Sequence, residues 1–195
     1  GLADLIGQVS PDAIINAAAY TAVDRAEDDI EAARALNETG PAALARAAAA
    51  RELPFLHIST DYVFNGLGGA PYAEDAETAP LNVYGQTKAD GELAVLAAHP
   101  GALVVRTSWV YAPEGQNFVC TMLRLAAEKD ALNVVSDQIG RPTEAHAIAE
   151  ALIDLAAQLR AGAEGGLLHV TNTGEASWRE LAEAAISGAG MSTPV

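Results

Sequence analysis

The chain has 195 residues, half of them apolar and 19% charged, which is the composition of a folded globular protein and excludes a disordered one. Its formal net charge of −15 argues against a nucleic-acid partner, because phosphate binding depends on clustered lysine and arginine. No run approaches the roughly 18 apolar residues that a membrane span needs, so no membrane partner is predicted.

Short apolar runs alternate with longer helical stretches along the chain. The first residues, GLADLIGQVSPD, are typical of the end of an amphipathic helix that leads into a strand. The apolar runs predict strands at residues 13–19, 53–59, 102–109, 132–135 and 167–171. Alanine-rich stretches predict helices at 28–51, 82–98, 117–129, 145–160 and 177–187, the first of them kinked or interrupted at Pro41. This alternation predicts an α/β fold with a doubly wound parallel sheet.

One predicted loop, from Asn65 to Pro80, is unusually long. It combines glycines at positions 66, 68 and 69 and prolines at 71 and 80 with several acidic residues. A loop of this length inside a compact domain is more often functional than accidental, so it becomes a candidate part of a site.

The chain has a single cysteine, Cys120, in the apolar context NFVCTMLRL. One cysteine excludes an intrachain disulfide framework and a multi-cysteine metal site, and no metal site is predicted. We interpret Cys120 as a buried small hydrophobe. A cytoplasmic location fits this cysteine usage.

Polar clusters follow three of the predicted strands. They are Tyr20-Thr21, Thr60-Asp61-Tyr62 and Thr107-Ser108-Trp109. Ligands of open parallel sheets bind beyond the carboxyl ends of the strands, where these clusters converge. Each cluster alone is equally compatible with a solvated turn, so the sequence predicts a site at this edge without proving one.

Tyr84 and Lys88 lie in the stretch VYGQTK, at the start of a predicted helix. Their spacing of four places them on one face of that helix, one turn apart. An ammonium group beside a phenol favours phenolate, so we expect Lys88 to lower the pKa of Tyr84 and to help it exchange a proton. The spacing is common by chance and gains weight from the polar strand ends around it.

The stretches NAAAYTAVDRAE, ISTDYVFNG, APLNVYGQTK, VVRTSWVYAPEGQNF, DQIGRPT and TGEASWRELAEA together resemble the extended short-chain dehydrogenase/reductase family, over nearly the whole chain. Within it they are similar to the reductases of dTDP-linked 4-keto-6-deoxy sugars. The resemblance implies a partial dinucleotide-binding Rossmann-like domain over residues 1–130. Residues 131–195 would form a mixed segment that contributes to a small C-terminal substrate-binding part and returns to the sheet.

The resemblance also implies a reaction, the reduction of the C4 ketone of dTDP-4-dehydro-L-rhamnose to dTDP-L-rhamnose by NADPH or NADH. Tyr84 matches the family's proton donor. Lys88 matches the lysine that binds the nicotinamide ribose and tunes the tyrosine. Thr60 matches the residue that hydrogen-bonds the reacting oxygen.

Two further groups of residues match binding positions of the family. The substrate-binding group is Thr60, Asp61, Tyr62 and Trp109, with Trp109 packed against the sugar. The cofactor-binding group is Tyr84 and Lys88 together with Ala19, Tyr20 and Thr21, where small residues let the backbone approach the dinucleotide. A homodimer is a possible further partner. On residue chemistry alone, Trp109 could be an ordinary aromatic at the core edge, and Asp61 could cap a turn.

Several polar residues have simpler interpretations. His57 lies in an apolar strand and is interpreted as a packed core histidine rather than a catalytic base. His146 is expected at the surface or an interface, and His169 has no evident partner. The run Glu27, Asp28, Asp29 is expected to solvate the start of a helix and to favour its dipole.

The chain departs from the family pattern at both ends. It lacks the glycine-rich turn that holds the cofactor pyrophosphate, and it ends before the last substrate-binding segment of the family. We therefore expect it to be the central part of a longer enzyme. Two alternatives remain open, namely a nucleotide-sugar epimerase or dehydratase of the same superfamily and a non-catalytic regulatory subunit built on the same fold.

Overall fold

The computed structural model describes residues 1–195. Eight helices and eight strands follow one another along the chain, joined by one π-helix (Ala35–Thr39) and one 3₁₀ turn (Asp61–Val63). The helices are α1 (Leu2–Val9), α2 (Val23–Ala26), α3 (Ile30–Arg34), α4 (Gly40–Ala49), α5 (Val83–Ala98), α6 (Phe118–Glu128), α7 (Ala145–Arg160) and α8 (Trp178–Gly188). The strands are β1 (Ile14–Asn16), β2 (Phe55–Thr60), β3 (Leu103–Thr107), β4 (Val110–Tyr111), β5 (Ile139–Gly140), β6 (Thr143–Glu144), β7 (Gly166–His169) and β8 (Ala176–Ser177).

The main sheet has the strand order β1-β2-β3-β7, and every neighbouring pair is parallel. This confirms the predicted α/β class with a parallel sheet. Side chains alternate between the two faces of a strand, and in β2 and β3 both alternate sets are buried, which explains why these strands are almost continuously apolar. On one face, Phe55 and Val104 pack with alanines of α4 and with Val95 of α5.

One predicted strand is wrong. Residues 132–135 form no strand, although the sequence LNVV is apolar. Leu132 instead packs in a small core with residues of α6 and α8, and its N–H donates to the Pro194 carbonyl at 2.9 Å. The Val135 carbonyl accepts from the N–H of Arg179 at 3.1 Å. These backbone groups are satisfied without a sheet partner. Leu132 and Val134 pack in the core with α6 and α8, whereas Val135 is 52% exposed.

The helix predicted over residues 28–51 is interrupted, as expected at Pro41. The break is a π-helical turn, Ala35–Thr39, which is separated from Pro41 by Gly40, the first residue of α4. Pro41 then occupies the first turn of α4, where a missing N–H costs little, whereas the ring would clash inside a continuous helix. The other four predicted helices are confirmed within a residue or two at each end. Cys120 is partly exposed, contrary to the expected burial.

The chain forms two compact units. The first comprises residues 1–107 and 152–170 and contains the main sheet; the second comprises residues 108–151 and 171–195. In the second unit β4 pairs parallel with β6 and β5 pairs antiparallel with β8, beside the core formed by α6 and α8. The predicted boundary at residue 130 does not coincide with these limits, because the chain passes between the units three times. No helix is long and apolar enough to cross a membrane.

Candidate active site

The N-terminus of α5 lies close to the end of β2. Asn82 caps the helix, its Oδ1 accepting from the N–H of Gly85 at 2.7 Å, and a carboxylate oxygen of Glu27 accepts from the N–H of Val83 at 2.8 Å. At Gly85 an added Cβ would overlap the carbonyl oxygen of Tyr62, so the glycine permits the close approach. This packing sets the first turn of α5 against the turn that follows Thr60.

Four of the predicted site residues come together there. The hydroxyl of Thr60 donates to Oδ1 of Asp61 at 3.1 Å and accepts from the N–H of Tyr62 at 3.3 Å. The rings of Tyr62 and Tyr84 meet edge to face, with centroids 5.4 Å apart. The predicted juxtaposition of the β2 end with the tyrosine of α5 is therefore present, while the chemical role of each residue stays a prediction.

The effect expected of Lys88 on Tyr84 is wrong in this structure. The pKa of Tyr84 is raised above its usual value, first by burial and further by the charges of Asp61 and Tyr62, while hydrogen bonding with Thr60 opposes the rise. Lys88 is not among the groups that shift the pKa of Tyr84, and its Nζ donates to the carbonyl of Ile58 at 2.6 Å. The phenol therefore stays protonated across neutral pH, as an acid catalyst requires.

Lys88 is itself almost completely buried, with 2% of the residue exposed. Burial lowers the pKa of Lys88 to about 8, and the charge of Glu92 opposes this change. Apart from Ile58, the only hydrogen-bonding group at Nζ is Nε2 of His57, 3.5 Å away. An ammonium group has three donors, so at least one remains available to a ligand.

A buried ion pair fixes α5 to the sheet. The guanidinium of Arg106 on β3 donates to both carboxylate oxygens of Glu92, at 2.8 and 2.6 Å. Ser59 on β2 donates to the same carboxylate at 2.5 Å. Both ionic side chains are at most 5% exposed, so desolvation is offset by this bidentate geometry and the extra hydrogen bond.

The long loop after β2 is held against the same edge of the sheet. It has no helix or strand between residues 65 and 80, as predicted. Phe64 stacks on Tyr72 with ring centroids 4.3 Å apart. Glu74 accepts through its carbonyl from Arg106 and through its carboxylate from the backbone N–H of His169, both at 3.3 Å. His169, which has no evident partner in the sequence, therefore helps to anchor this loop.

The segment Ala19–Thr21 lines a surface concavity of about 320 Å³. Asn37 joins this segment to α5: its Oδ1 accepts from the N–H of Tyr20 at 2.8 Å, and its Nδ2 donates to the hydroxyl of Thr87 at 3.1 Å. The sequence did not identify Asn37, because it lies in a stretch predicted as regular helix and is turned into this position by the π turn. The concavity fits the expected place for part of a dinucleotide.

The hydroxyl of Thr107 also suggests that a ligand binds at this edge of the sheet. Its buried hydroxyl is the one buried side-chain polar atom without a hydrogen-bond partner. Thr107 lies at the end of β3 and is the register partner of Thr60 on β2. A buried polar group without a partner is costly, so a ligand group or water is expected to satisfy it. No group of three or more His, Cys, Asp or Glu side chains could hold a metal ion.

Trp109 belongs to the second unit, where its indole is enclosed. Trp178 stacks on it with centroids 3.6 Å apart and ring planes 7° apart. An added Cβ at Gly140 would overlap Cε2 and its two ring neighbours, so the backbone of Gly140 lies over an indole face. Two groups cannot share one face at these distances, so both faces of Trp109 are covered and only its edge remains free. Its backbone is left-handed, with φ of 47°, a conformation that non-glycine residues adopt rarely.

His146 and His57 lie in very different environments. The side chain of His146 is 73% exposed and pairs with Glu144, in agreement with its expected surface position. His57 is fully buried, as expected of a core residue, but it contacts Lys88 and Asn16 rather than only apolar side chains. No sequence pattern indicates these contacts, which depend on how β1, β2 and α5 align.

Asp61 supplies a pH-dependent test of the site. Burial raises the pKa of Asp61 from 3.8 to about 6, although hydrogen bonds from Thr60 and the backbone oppose this. A raised pKa in the folded state means that the stability contributed by this group is fully present below the unfolded pKa and is lost as the pH rises through about 6. We expect Asp61→Asn to raise the free energy of unfolding by about 2 to 3 kcal/mol at pH 8, measured by urea denaturation.

At pH near 3.5 the two proteins should be almost equally stable, since Asp61 is then protonated in the folded state and mostly protonated in the unfolded state. Asp154→Asn, on the exposed side of α7, serves as the matched control and should change the stability by less than about 0.5 kcal/mol at either pH. Equal stability of wild type and Asp61→Asn at pH 8 would show that the carboxyl is not desolvated.

Comparison with known proteins identifies the family to which the chain belongs. Its fold and edge site are those of a Rossmann-like α/β chain that carries a tyrosine and a lysine at the carboxyl end of a parallel sheet. The family described as RmlD substrate binding domain matches residues 1–195. The chain belongs to this family.

Individual relatives agree with the family. The chain is 46% identical over 185 residues to dTDP-4-dehydrorhamnose reductase of Sinorhizobium fredii, covering 93% of this chain and 62% of that protein. It is 45% identical over 183 residues to the enzyme of the same name from Salmonella typhimurium, covering 93% and 61%. The crystal structure of dTDP-4-dehydrorhamnose reductase from Bacillus anthracis in complex with NADP matches with a TM-score of 0.93 and 38% identity, over 100% of this chain and 69% of that one. The chain thus spans about three fifths of the length of the curated relatives it matches.

Proposed function

We propose that the protein reduces the C4 ketone of dTDP-4-dehydro-L-rhamnose to dTDP-L-rhamnose, with NADPH or NADH as the reductant. The observation that carries this proposal is the convergence of Thr60, Tyr84 and Lys88 at one edge of the sheet, in a chain 46% identical to a dTDP-4-dehydrorhamnose reductase. The NADP complex of the Bacillus anthracis relative supports the choice of cofactor.

When it is bound, the reduced nicotinamide supplies a hydride to the ketone carbon. Tyr84 donates its phenolic proton to the ketone oxygen, on which negative charge develops as the carbon is reduced. The raised pKa of Tyr84 keeps this proton in place until the oxygen becomes basic enough to take it. The Thr60 hydroxyl donates to Asp61 and accepts from the N–H of Tyr62. In the proposed reaction its proton turns from Asp61 to the ketone oxygen as negative charge develops there.

The residues that would hold the dinucleotide fit a polar ligand. Lys88 retains a free donor at Nζ for a ribose hydroxyl, and the concavity beside Ala19, Tyr20 and Thr21 offers space next to their backbone. These contacts are predictions of the resemblance, supported by the available donor and the available volume.

We also propose that Asp61 and Tyr62, which lie beside Thr60 and Tyr84, contact the sugar nucleotide. Trp109 requires a changed role, because a pyranose cannot stack on an indole whose two faces are covered. We propose that Trp109 contacts the sugar nucleotide through the edge of its indole ring rather than through a face. A homodimer and a cytoplasmic location remain predictions of the sequence.

The reaction is tested by mixing the purified protein with dTDP-4-dehydro-L-rhamnose and NADPH and following the loss of the reduced-nicotinamide absorbance. The proposal expects stoichiometric NADPH oxidation and formation of dTDP-L-rhamnose. Turnover of the sugar without net NADPH loss would instead indicate an epimerase or dehydratase. A protein that is inactive alone and co-purifies stoichiometrically with an enzyme would indicate the regulatory alternative.

A further inference from the structure

Three buried polar side chains form a line from β1 through β2 to α5. Asn16 and His57 are register partners in the sheet, and Nδ2 of Asn16 lies 3.0 Å from Nδ1 of His57. The other ring nitrogen of His57, Nε2, lies 3.5 Å from Nζ of Lys88. Asn16, His57 and Lys88 are 5%, 0% and 2% exposed, so their polar atoms depend on partners within the protein for hydrogen bonds.

The orientation of the Asn16 amide decides where the histidine proton lies. The Oδ1 of Asn16 accepts from the backbone N–H of Ala18 at 3.2 Å, which turns the NH₂ group toward His57. An amide nitrogen can only donate, so Nδ1 of His57 must accept and carries no proton. A neutral imidazole then has its proton on Nε2, the nitrogen that faces Lys88.

An Nε2–H group cannot accept a hydrogen bond from an ammonium group. If Lys88 is charged, two donors face each other across 3.5 Å; if it is neutral, the lone pair on Nζ can accept from His57 while an amine hydrogen still donates to Ile58. We propose that Asn16 and His57 are positioning residues for Lys88: Asn16 holds His57 in the Nε2–H tautomer, and His57 thereby favours the neutral amine of Lys88.

The surrounding charges are consistent with this arrangement. Glu92, one turn further along α5, favours the charged amine, but its carboxylate is already engaged by Arg106 of β3 and by Ser59 of β2. Asp61, after β2, and the phenol of Tyr84, in the first turn of α5, both have pKa values raised by burial, and neither is among the groups that shift the pKa of Lys88. On β2 the pKa of His57 is lowered to about 3, by burial and then by Lys88, so the imidazole is neutral at physiological pH and acts through its N–H.

The protonation of Lys88 is a property of the chain itself, while its effect on catalysis rests on the proposed function. With a pKa of about 8, Lys88 changes charge close to physiological pH. In the proposed reaction this would make the hydrogen bonds offered to the cofactor ribose depend on pH, under the control of a residue that contacts neither substrate nor cofactor.

Lysine-selective NMR tests the inference directly. Within these 195 residues lysine occurs only at positions 88 and 129, so the ε-carbon signals of the isotope-labelled protein are few, and Lys88 is assigned by its loss in Lys88→Arg. In wild type we expect the ring ¹⁵N shifts of His57 to show the proton on Nε2. His99, whose Nε2 lies 2.9 Å from the carbonyl of Leu53, provides an internal reference for that tautomer.

Two variants should remove the influence of His57 that favours the neutral amine of Lys88. In Asn16→Asp the carboxylate accepts from Nδ1–H, so the proton of His57 moves to Nδ1 and Nε2 becomes free to accept from Lys88. In His57→Gln a side-chain carbonyl can turn toward the amine. In both we expect the titration midpoint of Lys88 to rise by about one pH unit, a tenfold change in proton affinity, while the midpoint of Lys129 stays constant.

A wild-type His57 protonated on Nδ1, or a Lys88 midpoint that is the same in wild type and His57→Gln, would overturn the inference. The tautomer is read in the wild-type protein, so it does not depend on whether a variant folds. Neither measurement uses NADPH or the sugar, so failure here leaves the proposed reaction standing, and an inactive protein leaves this inference standing.

Discussion

Replacing Tyr84 with phenylalanine should lower kcat for NADPH-dependent ketone reduction by about 10²- to 10⁴-fold, the range that general acid catalysis contributes. The variant removes one oxygen and keeps the ring that meets Tyr62 edge to face. Because the ring contacts are retained, KM for the sugar should change by less than about threefold, and the loss should lie in the chemical step. Steady-state kinetics at saturating NADPH separate the two parameters.

Tyr72→Phe is the matched control for this substitution. It also deletes a phenolic hydroxyl, which donates to Asn65 at 2.9 Å in the loop, and it leaves the stack on Phe64 intact. We expect its kcat to stay within about twofold of wild type. A Tyr84→Phe variant that keeps more than a tenth of the wild-type kcat would rule out Tyr84 as the proton donor.

Glu92→Gln should be among the most destabilising single substitutions in the chain. It leaves the buried guanidinium of Arg106 without a carboxylate and brings an amide NH₂ group against its donors. Breaking a buried ion pair from one side costs about 3 to 5 kcal/mol of the free energy of unfolding, a large part of what a domain of this size possesses. Urea denaturation, or the thermal midpoint where the variant is too unstable for urea, measures the loss.

The exposed pair of Arg124 and Glu128 supplies the control. Its side chains are 60% and 54% exposed, so Glu128→Gln should change the stability by no more than about 0.5 kcal/mol. Replacing both Glu92 and Arg106 with methionine should recover most of the loss, since neither charge then remains buried alone. A Glu92→Gln protein as stable as the Glu128→Gln protein would mean that water reaches Arg106.

The sequence predicts the parts of the site that follow from local spacing. The four-residue interval between Tyr84 and Lys88 and the polar residues after β2 depend only on helix and strand periodicity, and they meet as expected. The family resemblance adds their proposed roles. The sheet class follows in the same way, from apolar runs long enough for buried strands.

Contacts between elements that are far apart along the chain cannot be predicted from the sequence. His57 reaches Lys88 from 31 residues away, and Asn16 reaches His57 from 41, through the register of β1 with β2. The expected lowering of the Tyr84 pKa is wrong because burial raises that pKa, the charges of Asp61 and Tyr62 raise it further, and Lys88 is not among the groups that shift it. The strand predicted at 132–135 is wrong because apolar character alone does not distinguish a sheet interior from packing against helices.

Because of the π turn before Pro41, the number of residues in this helical segment matters more to the fold than which residues they are. Each helical residue advances the chain by about 100° around the axis, so deleting one residue within Ala35–Thr39 would turn Asn37 away from Tyr20 and Thr87. Many alanines of this segment could be exchanged for other small residues with modest effect, whereas a single deletion would uncouple the loop at Tyr20 from α5. Among homologous sequences we therefore expect amino-acid substitutions in this stretch but no insertions or deletions.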